Sequence, residues 1–584
     1  ALLTALLVPA PVGAYWSAAG SGTGTGTVET LGAGSTPTTS VSGQSVTVTW
    51  AQTSFHGGLL GAFNGGGYTV RRYLSTGGTA VTPAGTCAAP VSGSAATLSC
   101  TDTPVPFGLW RYTVAPVLGS AWTATESATS VVTAVVPAAP TLSAASGTAG
   151  QIDLSWPAVG GASGYNVYRR TTGSYYYATP LNGAAPVAGT TYADLATTNG
   201  TTYSYVVRAV GAGANGGTLE SADSNEGSAL ADSTAPTGVV LTNPGSPLRG
   251  TVALAATASD TGTGIATAAF QYAPTSTSTW TTACTDATSP YGCSWATAGV
   301  TDGVYDLRVV ATDGAGNTTT SATVTGRRID NTAPAATLAD PGALLRGTVT
   351  LTSTASDGGS GLASVNIQRA PAGGSAWTDV CTGTTGVSPC SFDTTAVADG
   401  AYDLRILAVD VAGNQAIVAV ANRTIDNTRP TATDIQAANV SGGTASLPEA
   451  GDTVTFSFSE PIAPASVLAG WSGASTPVTV RISAATPGVL TVFDAANSSQ
   501  LPLGSANLGL RYALAALVFN NSTMVRTGST ITVTLGTLAL GGLQSIGTGN
   551  ATLSWTTVAT PTDPAGNALT AATTTESGTA DRDF

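Results

Sequence analysis

Few residues of this chain are able to perform covalent chemistry. The single histidine, His56, stands in a glycine-flanked segment, TSFHGGLLGAF, and no G-x-S-x-G motif supplies a nucleophile that it could activate. The glycine-rich runs lie between predicted strands, whereas a phosphate-binding loop must open a helix. Aspartates cluster in DG, DNT and AGN contexts, where a side chain commonly caps a turn. We therefore assign no catalytic residue and expect no enzymatic activity.

The carboxylates near the predicted domain junctions have two interpretations. Asp330–Asn331 and Asp426–Asn427 stand at junctions, and Asp260, Asp313 and Asp410 could join them around a hard cation such as calcium. Each junction offers few carboxylates and no nearby glutamate, so turn capping is the favoured interpretation. We assign no metal and no cofactor from the sequence, and calcium binding at the junctions stays open.

The six cysteines form three local pairs. An even number, with one close pair in each of three predicted domains, indicates disulfides formed in an oxidising compartment, and the spacing does not suit a zinc site. Each bridge would close a loop of about ten residues and stabilise its domain by roughly 2–3 kcal/mol. The expected pairs are Cys87 with Cys100, Cys284 with Cys293, and Cys381 with Cys390.

Composition predicts an all-β protein that does not bind nucleic acid. The net charge is −13, all 19 basic residues are arginine, and they form no basic stripe that could neutralise phosphates. Thr and Val favour strands, while Gly and Pro favour turns. The only stretch that suggests a helix is LGLRYALAALVF at 508–519.

The chain repeats itself after 97 residues, because 249–330 aligns with 346–426 almost without gaps. Within this repeat, Asp260 matches Asp357 and Trp280 matches Trp377. A period of this length indicates whole domains in series. Three similar sequences mark the boundaries: DSTAP at 232–236, DNTAP at 330–334 and DNTRP at 426–430.

Residues 138–229 resemble a fibronectin type III domain. The resemblance rests on Trp156, on Tyr165-x-Val167-x-Arg169 in GYNVYRR, and on the alternating TTYSYVVRAV segment at 201–210. It implies a tyrosine corner made by Leu195 and Tyr203. Residues 41–136 follow the pattern more loosely, with Trp50, GYTVRRY at 67–73 and LWRYTVAPV at 109–117.

The remaining sequence resembles bacterial immunoglobulin-like domains of cell-surface proteins. Both copies of the repeat end in a D-x-AGN turn, which is typical of that group. The last region combines GDTVTFSFSEPI at 451–462 with ATPTDPAGNALT at 559–570, as in surface-layer and adhesin domains. An insert at about 465–550 separates these two motifs.

These features predict tandem immunoglobulin-like and fibronectin III-like β-sandwiches in an extended array. The expected layout lists a truncated signal peptide (1–14), a flexible Gly/Thr/Ser tether (15–40), a divergent fibronectin III-like domain (41–136), a fibronectin III domain (137–230), two bacterial immunoglobulin-like domains (231–330 and 331–427), and an immunoglobulin-like domain with an insert and a mobile tail, TTTESGTADRDF (428–584). The signal peptide ends in Val12-x-Ala14, and no membrane span is expected in the mature chain.

The predicted function is that of an exported, secreted or cell-surface modular protein of actinobacterial type, serving as an adhesive or structural spacer. Its partner would be an extracellular protein or a cell-wall or polysaccharide ligand. One alternative is a polysaccharide-binding accessory protein, or the spacer arm of a glycoside hydrolase, with Tyr175–Tyr177 as an aromatic platform. Another is a self-assembling filament or surface-layer subunit.

Overall fold

A computed structural model describes residues 30–55, 57–62, 64–120, 122–542 and 549–578. The predicted signal peptide and His56 lie outside the described residues. Regular structure in the described part is almost entirely β, with one short α-helix, α1 (Pro464–Val467), and five 3-10 turns of three residues each. No helix among these residues has the length and apolar character that crossing a membrane requires.

The chain divides into two compact units. The first contains the described residues up to Pro244, with Ala253–Trp295 and Tyr305–Gly326. The second contains Gly245–Val252, Ala296–Val304 and the described residues from Arg327 onward.

The first sandwich has two antiparallel sheets, β1-β2-β6 and β5-β7-β8, with β9 also paired to β7. Trp50 and Tyr68 pack between these sheets with ring centroids 5.7 Å apart. The tether was predicted for 15–40, of which 15–29 lie outside the described residues; its last part is structured, because Leu31 is buried in this core and β1 pairs with β2. Strand bounds are β1 Thr38–Ser42, β2 Ser45–Ala51, β3 Ser54–Phe55, β4 Gly58–Leu59, β5 Gly66–Leu74, β6 Thr97–Asp102, β7 Gly108–Leu118, β8 Trp122–Thr123 and β9 Thr133–Val135.

The second sandwich packs sheet β10-β11-β13 against sheet β12-β14-β15, and β16 also pairs with β14. The predicted core positions are buried, with Trp156 against Tyr165 at 5.3 Å. The tyrosine corner differs from the prediction: Leu195 is exposed, and the Tyr203 hydroxyl accepts a hydrogen bond from the Thr198 N–H at 3.1 Å. Strand bounds are β10 Ser143–Ser146, β11 Ile152–Ser155, β12 Gly164–Thr171, β13 Thr191–Asp194, β14 Thr202–Ala212, β15 Thr218–Glu220 and β16 Gly227–Leu230.

The first and second sandwiches each contain a buried ion pair that was not predicted from the sequence. Arg72 pairs with Asp102 at 2.7 Å, and Arg169 pairs with Asp194 at the same distance. In each case a core tyrosine hydroxyl donates to the aspartate, and an aromatic ring lies under the guanidinium. The shared arrangement supports a common fold for both segments.

The two repeated segments have matching strand registers. Ile265 pairs with Asp313 across β19 and β22, and Leu362 pairs with Asp410 across β29 and β32. Strand bounds are β17 Thr237–Leu241, β18 Thr251–Ser259, β19 Ile265–Pro274, β20 Thr281–Asp286, β21 Tyr291–Ala296, β22 Gly303–Asp313, β23 Thr318–Thr320, β24 Val324–Ile329, β25 Ala335–Leu338, β26 Leu344–Leu345, β27 Thr348–Leu351, β28 Ser353–Ser356, β29 Leu362–Pro371, β30 Thr378–Gly383, β31 Cys390–Asp393, β32 Gly400–Asp410 and β33 Gln415–Ile425.

The C-terminal region forms one ten-stranded sheet in the order β34-β35-β40-β39-β36-β37-β38-β42-β43, with β41 paired to β39. The Thr574 hydroxyl on β43 donates to the Ala432 carbonyl on β34 at 3.1 Å, so the two ends of the sheet meet. Strand bounds are β34 Ala432–Ala438, β35 Thr453–Phe458, β36 Thr476–Ile482, β37 Val489–Asp494, β38 Ser505–Asn507, β39 Leu517–Thr527, β40 Thr530–Thr534, β41 Thr537–Leu540, β42 Ser554–Thr556 and β43 Thr573–Thr575.

Two expectations for this region are wrong. The segment 508–519 is not helical: it leaves β38, forms turns and enters β39, with alternate side chains Leu517 and Phe519 buried in the core. The predicted mobile tail begins with β43, which pairs with β42. The insert, whose role was unexplained, contributes β36–β41 to the sheet and many of its core residues.

A disulfide joins each of the three predicted cysteine pairs. The Cα–Cα distances are 5.1 Å for Cys87–Cys100, 6.3 Å for Cys284–Cys293 and 6.1 Å for Cys381–Cys390. Because the cysteines are paired, none of the three bridges leaves a thiol for metal binding or nucleophilic attack.

Candidate metal centres

Three clusters of carboxylates occur where one predicted domain passes into the next. In each cluster, ligand oxygens from three acidic residues lie within 4.8 Å of one another. The clusters, called junction triads 1, 2 and 3, are Asp232/Asp260/Asp313, Asp330/Asp357/Asp410 and Asp426/Glu460/Asp563.

Each triad takes its residues from the same three places in the fold. The first residue follows the last strand of the preceding sandwich: Asp330, for example, comes directly after β24. The second follows an early strand of the next sandwich, as Asp357 follows β28. The third belongs to the D-x-AGN turn, as Asp410 at the end of β32 does. These three chain segments meet at one end of a sandwich, so residues 80 positions apart become neighbours.

An asparagine of the D-x-AGN turn, called the clamp asparagine, ties the linker to the turn in every triad. The Asn317 Nδ2 donates to the Asp232 backbone carbonyl at 3.0 Å, and Asn414 and Asn567 do the same to Asp330 and Asp426, each at 2.9 Å. The same amide also donates to the carboxylate of its own turn, at 2.9, 2.8 and 2.8 Å respectively. These hydrogen bonds therefore fix the position of the linker backbone relative to the turn.

The turn also contacts the preceding sandwich. The Ala149 N–H donates to the Asn317 Oδ1 at 3.0 Å, and Arg249 reaches the Asn414 Oδ1 at 3.5 Å. The turn glycine must be glycine: Gly316 has φ +92°, and a Cβ there would lie 3.0 Å from the Thr148 methyl. At Gly566, with the same φ, a Cβ would lie 2.9 Å from the Arg346 Nε.

Negative charge in the triads is concentrated and buried. Asp330 and Asp410 are 0% and 1% exposed, and Asp232, Asp313 and Asp563 are similarly buried. Among the residues described, none of the nine carboxylates forms an ion pair with an arginine. Buried charges are normally paired or bound to metal, because desolvating a lone carboxylate is very unfavourable.

Two carboxylate oxygens in the triads are buried without a hydrogen-bond partner. They are Oδ1 of Asp260 in triad 1 and Oε1 of Glu460 in triad 3. The other oxygen of Asp260 accepts hydrogen bonds from the Gly262 and Gly264 N–H groups at 2.9 and 2.8 Å. Since turn capping uses only that oxygen, it does not explain why Oδ1 is held beside two further carboxylates.

The pKa values show how the environments of the triads differ. Burial and the charges of Asp426, Asp563 and Asp399 raise the pKa of Glu460 to about 7. The pKa of Asp426 is also raised, by burial and by Asp563. In triad 1, burial acts to raise the pKa of Asp232, but hydrogen bonds from Thr263 outweigh it and the net shift is downward.

A hard divalent cation fits this arrangement. Calcium takes six to eight oxygen ligands at about 2.3–2.6 Å and accepts carboxylates in flexible geometry. Each triad offers up to six carboxylate oxygens, with neither sulfur nor imidazole in its ligand set. Bound calcium would offset the mutual repulsion of the carboxylates and would connect the linker to two loops of the following sandwich.

The sequence predicts this site only in part. Five of its carboxylates were expected as possible ligands: Asp260, Asp313, Asp330, Asp410 and Asp426. Four further members were not predicted: Asp232, Asp357, Glu460 and Asp563. The expectation that no glutamate is near a junction is wrong, because the fold brings Glu460 of the FSEP segment to Asp426 and Asp563. The DPAGN segment was a usable signal, since it matches DGAGN and DVAGN of the repeats.

Comparisons with known proteins bear on the fold. No protein-family model matches the chain, and no curated protein matches it. Among solved structures, a Fn3-like protein from Clostridium thermocellum is 36% identical, covering 16% of this chain and 93% of that one, with a TM-score of 0.13. The FN1–FN3 domains of chicken CNTN1 are 14% identical, covering 50% and 99%, with a TM-score of 0.27.

A third similar structure is a Ca2+-stabilized adhesin that helps an Antarctic bacterium to reach out and bind ice. It is 20% identical and covers 69% of this chain and 99% of that chain, with a TM-score of 0.25. These similarities concern the β-sandwich architecture alone.

Proposed function

We propose that this chain of β-sandwiches in series is a non-catalytic adhesive or structural spacer. It works outside the cytosol, and divalent cations stiffen its junctions. Three disulfides support an oxidising location. Its partner is an extracellular molecule.

The repetition of the junction triads supports this proposal most strongly. An isolated acidic cluster is common on protein surfaces, but here the same three positions and the same clamp asparagine recur at successive junctions. A feature that recurs at three successive junctions serves the connection between domains. A catalytic site would need to occur only once.

The clamp asparagine holds the junction together through hydrogen bonds that need no cation. Its amide holds the linker carbonyl, while its carbonyl oxygen, in triads 1 and 2, faces a donor on the preceding sandwich. Calcium would add a second connection between the linker and the following sandwich, because the linker aspartate and the two loop carboxylates would bind the same ion. Bending at the linker would then require breaking metal–oxygen bonds.

Titration of the purified full chain with calcium tests the cation component. We expect saturable heat of binding, with a stoichiometry of up to three ions, and a rise in melting temperature. Small-angle scattering should show a narrower distribution of distances in calcium than in chelator. Absence of both binding heat and thermal shift would overturn the cation component.

Fractionation of the native host tests the location. We expect the protein in the culture medium or the cell wall. Recovery in the cytosol with reduced thiols would contradict the proposed function, whatever the outcome of the calcium titration.

A further inference from the structure

The segment between β12 and β13 carries three consecutive tyrosines, Tyr175–Tyr177, which the junction triads do not involve. The Tyr175 side chain is 97% exposed, more than any other large hydrophobic side chain in the described part of the chain, and Tyr177 is 51% exposed. A partner that covers an exposed aromatic ring removes its apolar surface from water, and this burial favours binding.

The rings of Tyr176 and Tyr177 are held in place. The Tyr176 hydroxyl donates to Glu226, and the Arg170 guanidinium lies 5.3 Å from the ring centroid. Arg170 in turn binds Glu226 through Nε at 3.0 Å and Nη2 at 2.9 Å. Arg169 lies 5.8 Å from the Tyr177 ring.

The backbone of the segment is also ordered by local hydrogen bonds. The Ser174 hydroxyl donates to the Thr171 carbonyl at 2.7 Å, and the Tyr177 N–H donates to the Arg169 carbonyl at 3.1 Å. Binding to a surface that is already ordered loses little conformational entropy.

The surface is locally neutral, which limits the charge of its partner. Arg170 is paired with Glu226, and Arg169 with Asp194, so no cation is left to attract an anionic polymer. The whole chain carries a net charge of −13, which repels anionic chains further.

The size of the surface favours a saccharide over a protein. An aromatic side chain buries about 150–250 Å², so Tyr175, at 97% exposed, and Tyr177, at 51%, together offer roughly 220–370 Å². A stable protein interface needs about 800 Å² from each partner. A few pyranose rings match the smaller area: their C–H faces pack on aromatic rings, and their hydroxyls can bond to Glu226, Arg170 and the tyrosine hydroxyls.

We therefore propose that the Tyr175–Tyr177 segment is a docking surface for a neutral polysaccharide. This proposal rests on the proposed adhesive function and names its partner by chemical class. The Tyr175 ring stacks on one sugar ring, and the Glu226–Arg170 pair forms hydrogen bonds with the hydroxyls of the next sugar ring.

Retention of the full chain on insoluble cellulose and chitin, with soluble oligomers of each as competitors, tests the proposal. We expect retention on at least one of them and a loss of about tenfold in affinity for Tyr175→Ala. Leu195→Ala is the matched control, because Leu195 is also largely exposed on the same sandwich. It should bind like the wild type, and both variants should melt like it.

Three results would overturn the proposal: no retention on either neutral polymer, equal retention of Tyr175→Ala and the wild type, or retention only on an anionic polymer such as heparin. None of them affects the calcium titration or the fractionation of the host, because Tyr175–Tyr177 belong to none of the junction triads. Failure of the saccharide proposal is thus distinguishable from failure of the proposed function.

Discussion

Replacement of Asp260 by Asn should stabilise the cation-free protein and weaken its response to calcium. Asn keeps one oxygen, which can accept the hydrogen bonds from the Gly262 and Gly264 N–H groups. Its amide nitrogen replaces the buried Oδ1, which has no partner. That nitrogen can donate to the carboxylates of Asp232 and Asp313, where the aspartate could only repel them.

The magnitude follows from the distances within triad 1. The ligand oxygens lie within 4.8 Å of one another. At an effective dielectric constant of about 20, each pair of unit charges repels by roughly 3 kcal/mol at that separation, and the substitution removes two of the three pairs. Hydrogen bonds and solvent reduce this value, so we expect a net stabilisation of about 1–3 kcal/mol in chelator. For a domain of about 100 residues, this raises the melting temperature by roughly 5–15 °C.

Calcium should remove or reverse this difference in stability. A ligand at 100 times its Kd stabilises the wild type by about 2.7 kcal/mol, and the variant, with one carboxylate fewer, should lose most of that gain. Scanning calorimetry of the full chain in chelator and in excess calcium measures both effects on the same protein.

The matched control is Asp286→Asn in the same predicted domain. Asp286 accepts hydrogen bonds from the Thr288 and Gly292 N–H groups at 3.1 and 2.8 Å but belongs to no triad. Its substitution should leave stability unchanged or slightly lower, with no dependence on calcium. If Asp260→Asn also lowers the melting temperature in chelator, the carboxylates act as turn caps and the electrostatic reasoning is refuted.

Three further predictions concern stability. Asn414→Ala removes two partly buried hydrogen bonds of the junction and should lower the free energy of unfolding by about 1–2 kcal/mol in denaturant titrations, whereas the exposed neighbour Gln415→Ala should change it little. Asp194→Ala leaves Arg169 buried and unpaired and should cost about 3–5 kcal/mol; a loss below about 1 kcal/mol would contradict this. The pKa of Glu460 is raised to about 7 from an ordinary 4.5, so in chelator stability should fall, by on the order of 1 kcal/mol, as the pH rises across that interval. Glu460→Gln should flatten the dependence seen in melting curves, while calcium affinity of the wild type rises over the same interval.

The sequence predicted the fold class well because strand patterns are local. Alternation placed Tyr165 and Val167, and Tyr205 and Val207, in one core, and the structure buries all four. The cysteine pairs could be predicted equally well, since the two cysteines of each pair are separated by 13 residues or fewer. A local pattern failed at 508–519, where apolar spacing suggested a helix. There the neighbouring strands supplied hydrogen-bond partners to its end, so that Leu517–Phe519 joined their sheet and the residues before them form a connection without helix.

The sequence by itself determined which residues form strands and turns, where the repeat begins again, and that the D-x-AGN turn recurs. It could not determine that Glu460 and Asp563, about a hundred positions apart, would meet Asp426 around one point. Nor could it reveal that Asn414 reaches back to the Asp330 carbonyl. Those neighbours follow from which strand ends meet at one end of a sandwich. That arrangement depends on long-range sheet pairing and on the buried core, and no local pattern of residues encodes it.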